Sequence, residues 1–396
     1  MSYLERIPSR ISRIREDLPK LIELAERMAD SLLAGGQLFT PQLGTYWPSE
    51  FGSRAGGLMG LKPPEYLAES KLDVAFTTLP DRARWKPKDD ARWQQLVDSK
   101  AQIVVIGSPE EADGAAPASR FAGFTGGALP AEGECAFGAL KPLAPFRPFE
   151  QLVRGWLTAG EMIAACTRAG GRMPVMWMSV WLEGAFVRNA SFLQPSNLRE
   201  PWSAPLFHES MYIPPIEPGR VSADFLRELE ALHIGLLAQR EQVALAGQWM
   251  AEAISAKRRV STNLVGHSYP EILELQRPDD YPLAWRHTRS DLREAHHPDL
   301  GAGEVALHLG YSPVDVGDVQ PLLDRGIRFI YTSPYGRPAA LKDHPNLLWL
   351  DLPWRPADAT VDVPGYSVRI LPMSSSAHTM LYFELLCEVA RRLSWT

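Results

Sequence analysis

The feature that most constrains this chain is an internal repeat of a helix, a strand and a polar loop. Leu18 to Leu33 has the apolar spacing of a helix, with Asp17 as a predicted N-cap, and a short strand and a glycine-containing loop follow it. Val243 to Ile254, the strand from Val260 to Val265 and the loop from Gly266 to Glu271 repeat that order. The repeat predicts two similar α/β units in one chain.

Later elements of the two halves also correspond. The matched pairs are Ala101–Gly107 with Glu304–Gly310, Pro174–Ser179 with Phe329–Ser333, and, on the two closing helices, Ser222 with Ser376. Strands that alternate with helices predict parallel sheets with right-handed crossovers. We therefore expect an α/β fold of two tandem three-layer αβα units, of flavodoxin or Rossmann type.

The length of 396 residues favours two or three domains. We place the first unit at residues 1–236 and the second at 237–396. The first half is longer than the second, and we interpret residues 62–100 and 110–148 as its loop insertions, because these stretches lack a clear element pattern.

Composition excludes several classes of function. The net charge of -6, without a long run of one sign, does not suit nucleic-acid binding. Three distant cysteines favour a reducing compartment, and the N-terminus lacks the apolar region of a signal peptide. We expect a cytoplasmic protein without a membrane partner.

The sequence lacks the usual motifs for cofactors and metals. It has no glycine fingerprint after a strand, no phosphate-binding P-loop and no zinc-ligand spacing. We therefore expect neither a cofactor nor a metal.

The loops that follow the strands of the second half carry the polar side chains. In an open parallel sheet, ligands bind outside the carboxyl ends of the strands. Ser374, Ser375 and Ser376 directly precede a helix, where hydroxyls and free N–H groups suit an anion or a sugar. The alternative is a single capping serine with two serines that only fill the loop. The corresponding loop of the first half is acidic at Glu110, Glu111 and Asp113, which predicts a degenerate first site or a site for a different group.

These features together resemble the SIS (sugar isomerase) family of phosphosugar-binding domains. The likeness covers the element order of nearly the whole chain. It is sharpest at Ser53-Arg54-Ala55-Gly56-Gly57-Leu58, at Gly266-His267-Ser268, over Tyr311 to Ser333, and over Pro372 to Glu388. Tandem units of this family pack as a pseudo-dimer, and its members include aldose–ketose isomerases and sugar-phosphate sensors.

The resemblance implies a sugar phosphate as the ligand, without an obligatory metal or cofactor, and a homo-oligomer, most simply a dimer. By match to the family, the phosphate and sugar positions fall on Ser268, Ser312, Ser374, Ser375 and Ser376. Three further residues of the same loops are expected to bind the ligand, namely Gly266, Tyr311 and Ser333.

An aldose–ketose isomerase moves a proton through an enediol and needs a base with a pKa near neutrality. His378 is the first candidate, because an unperturbed histidine titrates near this range, and His267 is the second, as a ring-opening acid. Glu271 and Glu274 would act from the opposite wall, and Glu384 lies further along the closing helix. Each residue has a structural alternative, as a cap, a partner of the helix dipole or a solvated side chain.

Three functions stay open at this point. The first is a phosphosugar isomerase that works from the second unit. The second is a non-catalytic sugar-phosphate sensor or scaffold with a degenerate first site. The third is a structural pseudo-dimer in which neither unit binds a ligand.

Overall fold

The chain folds into two parallel sheets covered by helices. The computed structural model describes residues 2–43, 47–79, 90–107, 121–124, 144–193, 203–264, 285–288 and 300–393. The described strands are β1 (Leu38–Phe39), β2 (Val74–Thr78), β3 (Gln102–Ile106), β4 (Phe121–Phe124), β5 (Arg172–Pro174), β6 (Phe207–Tyr212), β7 (Val260–Leu264), β8 (Trp285–Thr288), β9 (Val305–Leu309), β10 (Arg328–Ser333), β11 (Leu347–Asp351), β12 (Ala359–Val361) and β13 (Ile370–Pro372). The described helices are α1 (Tyr3–Leu33), α2 (Trp47–Phe51), α3 (Ala91–Asp98), α4 (Arg147–Gly170), α5 (Ala185–Ala190), α6 (Arg220–Ala238), α7 (Arg240–Ser255), α8 (Val316–Asp324) and α9 (Ser374–Arg392).

The two sheets share one strand order except at one edge, where the second sheet has an additional strand, β8, beside β7. The first runs β1-β2-β3-β4 and the second β11-β10-β9-β7-β8, and all their pairings are parallel. The strands β2, β9 and β10 are short apolar runs that are buried almost throughout, as expected when helices cover both faces of a sheet. The predicted α/β class with two parallel sheets is confirmed.

Sheet position corrects the predicted correspondence between the halves. When β1 is aligned with β7 and the strands are counted towards β4 and β11, β2 takes the position of β9 and β3 takes the position of β10. The sequence pattern instead pairs Ala101–Gly107, which contains β3, with Glu304–Gly310, which contains β9. This pairing is wrong by one strand, because short apolar strands with similar composition cannot be distinguished by pattern alone.

The expected insertion 62–100 is not a loop, because β2 and α3 lie inside it. The error came from the charged and polar segments on either side of β2, which hide its apolar pattern. The expected strand Pro174–Ser179 is not a member of the first sheet. Only Arg172–Pro174 forms a strand there, and it pairs antiparallel with β6 in a separate two-stranded sheet.

The closing helices are α4 and α9, not α6 and α9. Both are enclosed on every side: α4 is buried from Pro148 to Thr167 and α9 from Ser374 to Cys387. Helix α1 packs along α4, and α7 packs along α9. These four helices, with α6 and the inner faces of both sheets, share one hydrophobic core.

Helix α1 begins at Tyr3, well before the predicted start at Asp17. Ser2 and Glu5 form a capping box that fixes this end, and Asp17 instead lies within the helix and pairs with Arg154 of α4 at 2.7 Å. Across the described residues, no helix combines the length and the apolar character that crossing a bilayer requires.

Candidate functional site

The carboxyl ends of β9 and β10 lie side by side at one edge of the second sheet, where parallel sheets bind ligands. The Gly310 amide donates to Thr332 Oγ1 at 2.9 Å, and the Thr332 hydroxyl donates to Gly310 O at 3.0 Å. The Ser333 hydroxyl donates to Ser312 O at 3.0 Å. The loop after β9 is thereby fixed against β10, and Tyr311, Ser312 and Ser333 come together.

Helix α9 begins at Ser374, and its first turn is fully buried. Asp358, immediately before β12, meets this end of the helix. Its Oδ1 accepts from Ser374 N at 2.9 Å, and its backbone oxygen accepts from Met373 N at 3.0 Å. A carboxylate in this place satisfies a free N–H and the positive end of the helix dipole. The helix start therefore holds an anion, and that anion is a side chain of the same chain.

Arg54, from the first half of the sequence, reaches the same place. Its guanidinium donates to the hydroxyls of Ser374 and Ser375, each at 2.6 Å. It also forms ion pairs with Asp358, at 3.2 Å, and with Glu50 of α2. The Arg54 side chain has no exposure to solvent. Two of the three predicted serines are thus hydrogen-bonded to an arginine from the other unit.

Glu50 completes the buried charged cluster. Its carboxylate accepts from Trp156 Nε1 at 2.7 Å and from Ser375 Oγ at 2.8 Å. Burial raises the pKa of Glu50 to about 7, against the opposing effects of Arg54, Trp156 and Ser375. Burial alone would lower the pKa of Arg54, but the carboxylates of Glu50 and Asp358 raise it above its usual value. The Arg54 cluster, as we call Arg54 with these two carboxylates, has one cation for two acids.

His378 lies one turn into α9 and is fully buried. Burial lowers its pKa to about 4, although the Asp358 charge and the Gly310 backbone act in the opposite direction. Neither ring nitrogen makes a hydrogen bond of normal geometry to a described residue, and the same is true of Ser376 Oγ and Thr379 Oγ1. The first turns of α9 therefore present neutral polar groups that have no protein partner within the described part of the chain.

Tyr311 faces the Arg54 cluster from the loop after β9. Its pKa is raised above the usual tyrosine value, first by burial and then by the Asp358 charge, whereas Arg54 opposes the increase. Tyr311 is 8% exposed. The Tyr311 side chain thus lies between the strand ends and the Arg54 cluster at the start of α9.

Glu384 lies away from this group of residues. Its carboxylate accepts from Leu4 N at 2.9 Å and so helps to hold the first turn of α1. Burial raises the pKa of Glu384, and the bond from Leu4 lowers it in part. Glu384 thus joins α9 to α1, at a place separate from the strand ends.

Five of the predicted site residues lie outside the described residues. They are Gly266, His267, Ser268, Glu271 and Glu274. Among the described residues, no group of three histidine, cysteine, aspartate or glutamate side chains is placed to hold a metal ion.

Sequence reasoning did not assign a role to Glu50, Arg54 or Asp358. One local signal was available for Arg54, which stands two residues before Gly56-Gly57. Gly56 has φ +76°, and a Cβ there would approach the Ala359 Cβ to 2.6 Å. This glycine allows the turn that carries Arg54 to press against β12, beside Asp358.

Comparison with known proteins gives similarity to solved structures but not to sequences. No family model matches the chain, and no curated protein matches it. The C-terminal domain of glucosamine-fructose-6-phosphate aminotransferase from Francisella tularensis aligns with a TM-score of 0.45 at 9% identity, over 99% of this chain and 95% of that chain. A candidate sugar-binding protein from Salmonella typhimurium LT2 aligns with a TM-score of 0.44 at 10% identity, over 98% of each chain.

Proposed function

We propose that this protein binds a sugar phosphate at the carboxyl edge of its second sheet. The observation that carries the proposal is the group of neutral polar atoms on Ser376, His378 and Thr379, which are buried and have no partner among the described residues. Buried polar groups are almost always hydrogen-bonded, so groups left without a partner at a strand edge point to a polar ligand. The motif resemblance supplies the class of that ligand.

Tyr311 and Ser312 supply the polar groups at the strand ends. Both follow β9, and Ser312 keeps its hydroxyl close to the edge because its carbonyl is held by Ser333. In this proposal Ser312 acts with Ser268 on the phosphate, and His378, which lies next to the Gly310 backbone, acts on a sugar hydroxyl. Ser374 and Ser375 act indirectly, since their hydroxyls position Arg54.

Isomerisation through an enediol is the finer form of the proposal. With its pKa lowered to about 4, His378 is neutral at pH 7. A neutral imidazole can polarise a carbonyl or a hydroxyl by hydrogen bonding, whereas the transfer of the carbon-bound proton then falls to another group, such as Glu271 or Glu274.

A sensor that binds without turnover is the second candidate. The observation in its favour is the complete burial of His378 together with its low pKa, which makes it a weak base at neutral pH. Association with a second copy of the chain stays a prediction in both cases.

Thermal unfolding in the presence of a panel of sugar monophosphates tests the proposal. A ligand raises the unfolding temperature through the free energy RT ln(1 + [L]/Kd), so at least one sugar phosphate should give a concentration-dependent increase. Ser312→Ala should reduce this increase, whereas Ser9→Ala, on an exposed face of α1, should not.

The absence of any shift at millimolar concentration of every sugar phosphate would disprove binding. Incubation of the bound sugar in deuterated water then separates the two candidates. Deuterium incorporation at the carbon next to the carbonyl supports an isomerase, and binding without incorporation supports a sensor.

A further inference from the structure

The start of α9 is already neutralised by the chain itself. The positive end of a helix and its free N–H groups normally attract an anionic ligand. Here the Asp358 carboxylate accepts from the Ser374 amide at 2.9 Å and is fully buried. An anionic group of a ligand would have to displace this side chain before it could occupy the same position.

The hydroxyls at this position are also committed. Ser374 and Ser375 both accept from Arg54, and the Ser375 hydroxyl donates to Glu50. Arg54 in turn is paired with two carboxylates, those of Glu50 and Asp358. A phosphate brought here would add negative charge to a buried cluster that contains more acids than cations, and uncompensated buried charge is strongly unfavourable.

The adjacent groups are uncharged. Ser376, His378 and Thr379 follow directly on α9, are fully buried and have no partner among the described residues. Hydroxyl and imidazole groups of this kind suit the hydroxyls of a sugar. The order along the helix is therefore a filled anion position followed by neutral hydrogen-bonding groups.

We propose that Asp358 determines specificity by excluding anionic groups from the start of α9, so that the ligand places uncharged hydroxyls there and has a single phosphate, at the Tyr311–Ser312 end. This inference rests on the proposed function and narrows it from sugar phosphates to monophosphates. Asp358 acts as a specificity-determining residue through its charge at the helix start.

The wild-type protein gives the first test. The affinity for a hexose monophosphate is compared with that for the corresponding hexose bisphosphate by isothermal titration calorimetry. We expect the bisphosphate to bind no tighter than the monophosphate, because its second phosphate meets Asp358. A bisphosphate that binds about tenfold tighter or more would overturn the inference.

Asp358→Asn gives the second test, with inorganic phosphate as the probe and phosphorus NMR line broadening as the readout. The amide keeps an oxygen for the Ser374 N–H and leaves Arg54 with Glu50 as a one-to-one pair. We expect this variant to bind phosphate about tenfold tighter than wild type, because a like charge next to the anion has been removed.

Two variants control the second test. Glu50→Gln also removes an acid from the Arg54 cluster but keeps the Asp358 carboxylate on the Ser374 amide, so it should increase phosphate binding clearly less than Asp358→Asn does. Asp362→Asn removes an exposed carboxylate that pairs with Arg355 at 2.6 Å and should have no effect. Equal phosphate binding by Asp358→Asn and Glu50→Gln would contradict the role of Asp358.

The two proposals fail in different ways. If wild type binds no sugar phosphate, the proposed function is wrong, yet the inorganic phosphate measurement still shows whether Asp358 blocks the helix start. If sugar phosphates bind but Asp358→Asn gains no phosphate site, the function stands and the specificity role is wrong. The wild-type comparison of mono- and bisphosphates is available even if the variant does not fold.

Discussion

Glu50 and His378 are both buried ionisable side chains, and burial moves their pKa values in opposite directions. Burial disfavours the charged form of each group, so it raises the pKa of Glu50 from 4.5 to about 7 and lowers that of His378 from 6.5 to about 4. Both effects connect the stability of the fold to pH. Glu50 stabilises the fold most at low pH, and His378 does so at high pH.

Glu50→Gln isolates the first of these effects. Because the folded state raises the pKa of Glu50, its protonation contributes stability that is fully present below pH 4.5 and is lost as the pH rises through about 7. We expect wild type to lose stability relative to Glu50→Gln over this window, as measured by urea unfolding at a series of pH values. The contribution of His378, present above pH 6.5 and lost towards pH 4, is common to both proteins and cancels.

An exposed glutamate provides the control. Glu183→Gln should follow the wild-type pH dependence throughout, because the side chain is solvated. Parallel curves for wild type and Glu50→Gln between pH 4.5 and 7 would show that Glu50 stays ionised in the folded protein.

For single residues, the sequence predicted which polar side chains lie at the start of α9 but not which side chains they bind. The run Ser374 to Ser376 was correctly placed at the start of a helix, because capping and dipole effects are local. The bonds from Arg54 to Ser374 and Ser375 join residues that are 320 and 321 positions apart. No local sequence pattern predicts a contact between residues so far apart. The match of residues 53–58 to a family motif marked Arg54 as part of a motif but did not indicate what it binds.

Among the elements, helix α4 shows how tightly the enclosed helices are packed. Gly155 of α4 faces Trp47 of α2, and a Cβ at this position would overlap the Trp47 ring. Trp47 also contacts Phe51, with ring centroids 4.6 Å apart, on the helix that carries Glu50. The approach of α2 to α4 therefore helps to place one acid of the Arg54 cluster.

Gly155→Ala should destabilise the protein in spite of the higher helix propensity of alanine. Within a helix, alanine is more favourable than glycine by roughly 1 kcal/mol. Forcing its methyl group against the Trp47 ring, however, costs about 1–3 kcal/mol. We expect a net decrease in the free energy of unfolding by denaturant. Gly301→Ala, where no atom lies within 4 Å of the added Cβ, is the control and should be close to neutral.

The elements differed in how well their sequence patterns identified them. The strands β9 and β10 were predicted because each is a run of apolar residues next to a clear helix. The strand β2 was missed because it lies in a segment with many charges. The role of α4 as a closing helix depends on contacts with α1 and α9 that its own sequence does not encode.

In the whole molecule, each half completes the other. Glu50 and Arg54 come from the first half and hold the start of α9 in the second. In the middle of α9, Glu384 accepts from Leu4 of α1. The division at residue 237 stays a prediction. The contacts between the two sides of it include a buried charged cluster.

Separate expression of residues 1–236 and 237–396 tests this dependence. The second fragment alone would lose the ion pair of Asp358 with Arg54 and would expose the apolar surface of α9 that α1 and α4 cover, which is strongly destabilising. We expect it to be unfolded or aggregated by circular dichroism and gel filtration, and the two fragments produced together to form a folded complex. A folded, monomeric 237–396 fragment would contradict this view.

The distance along the chain between Arg54 and its hydroxyl partners also affects how the protein is made. Ser375 follows Arg54 by 321 residues, which at about 5–20 residues per second is a delay of roughly 15 to 65 s on the ribosome. Through that interval the arginine and Glu50 have neither Asp358 nor the start of α9 to pack against. The central core can close only after synthesis has passed the second sheet, so until then the nascent first half exposes the apolar surface that α9 covers in the folded protein.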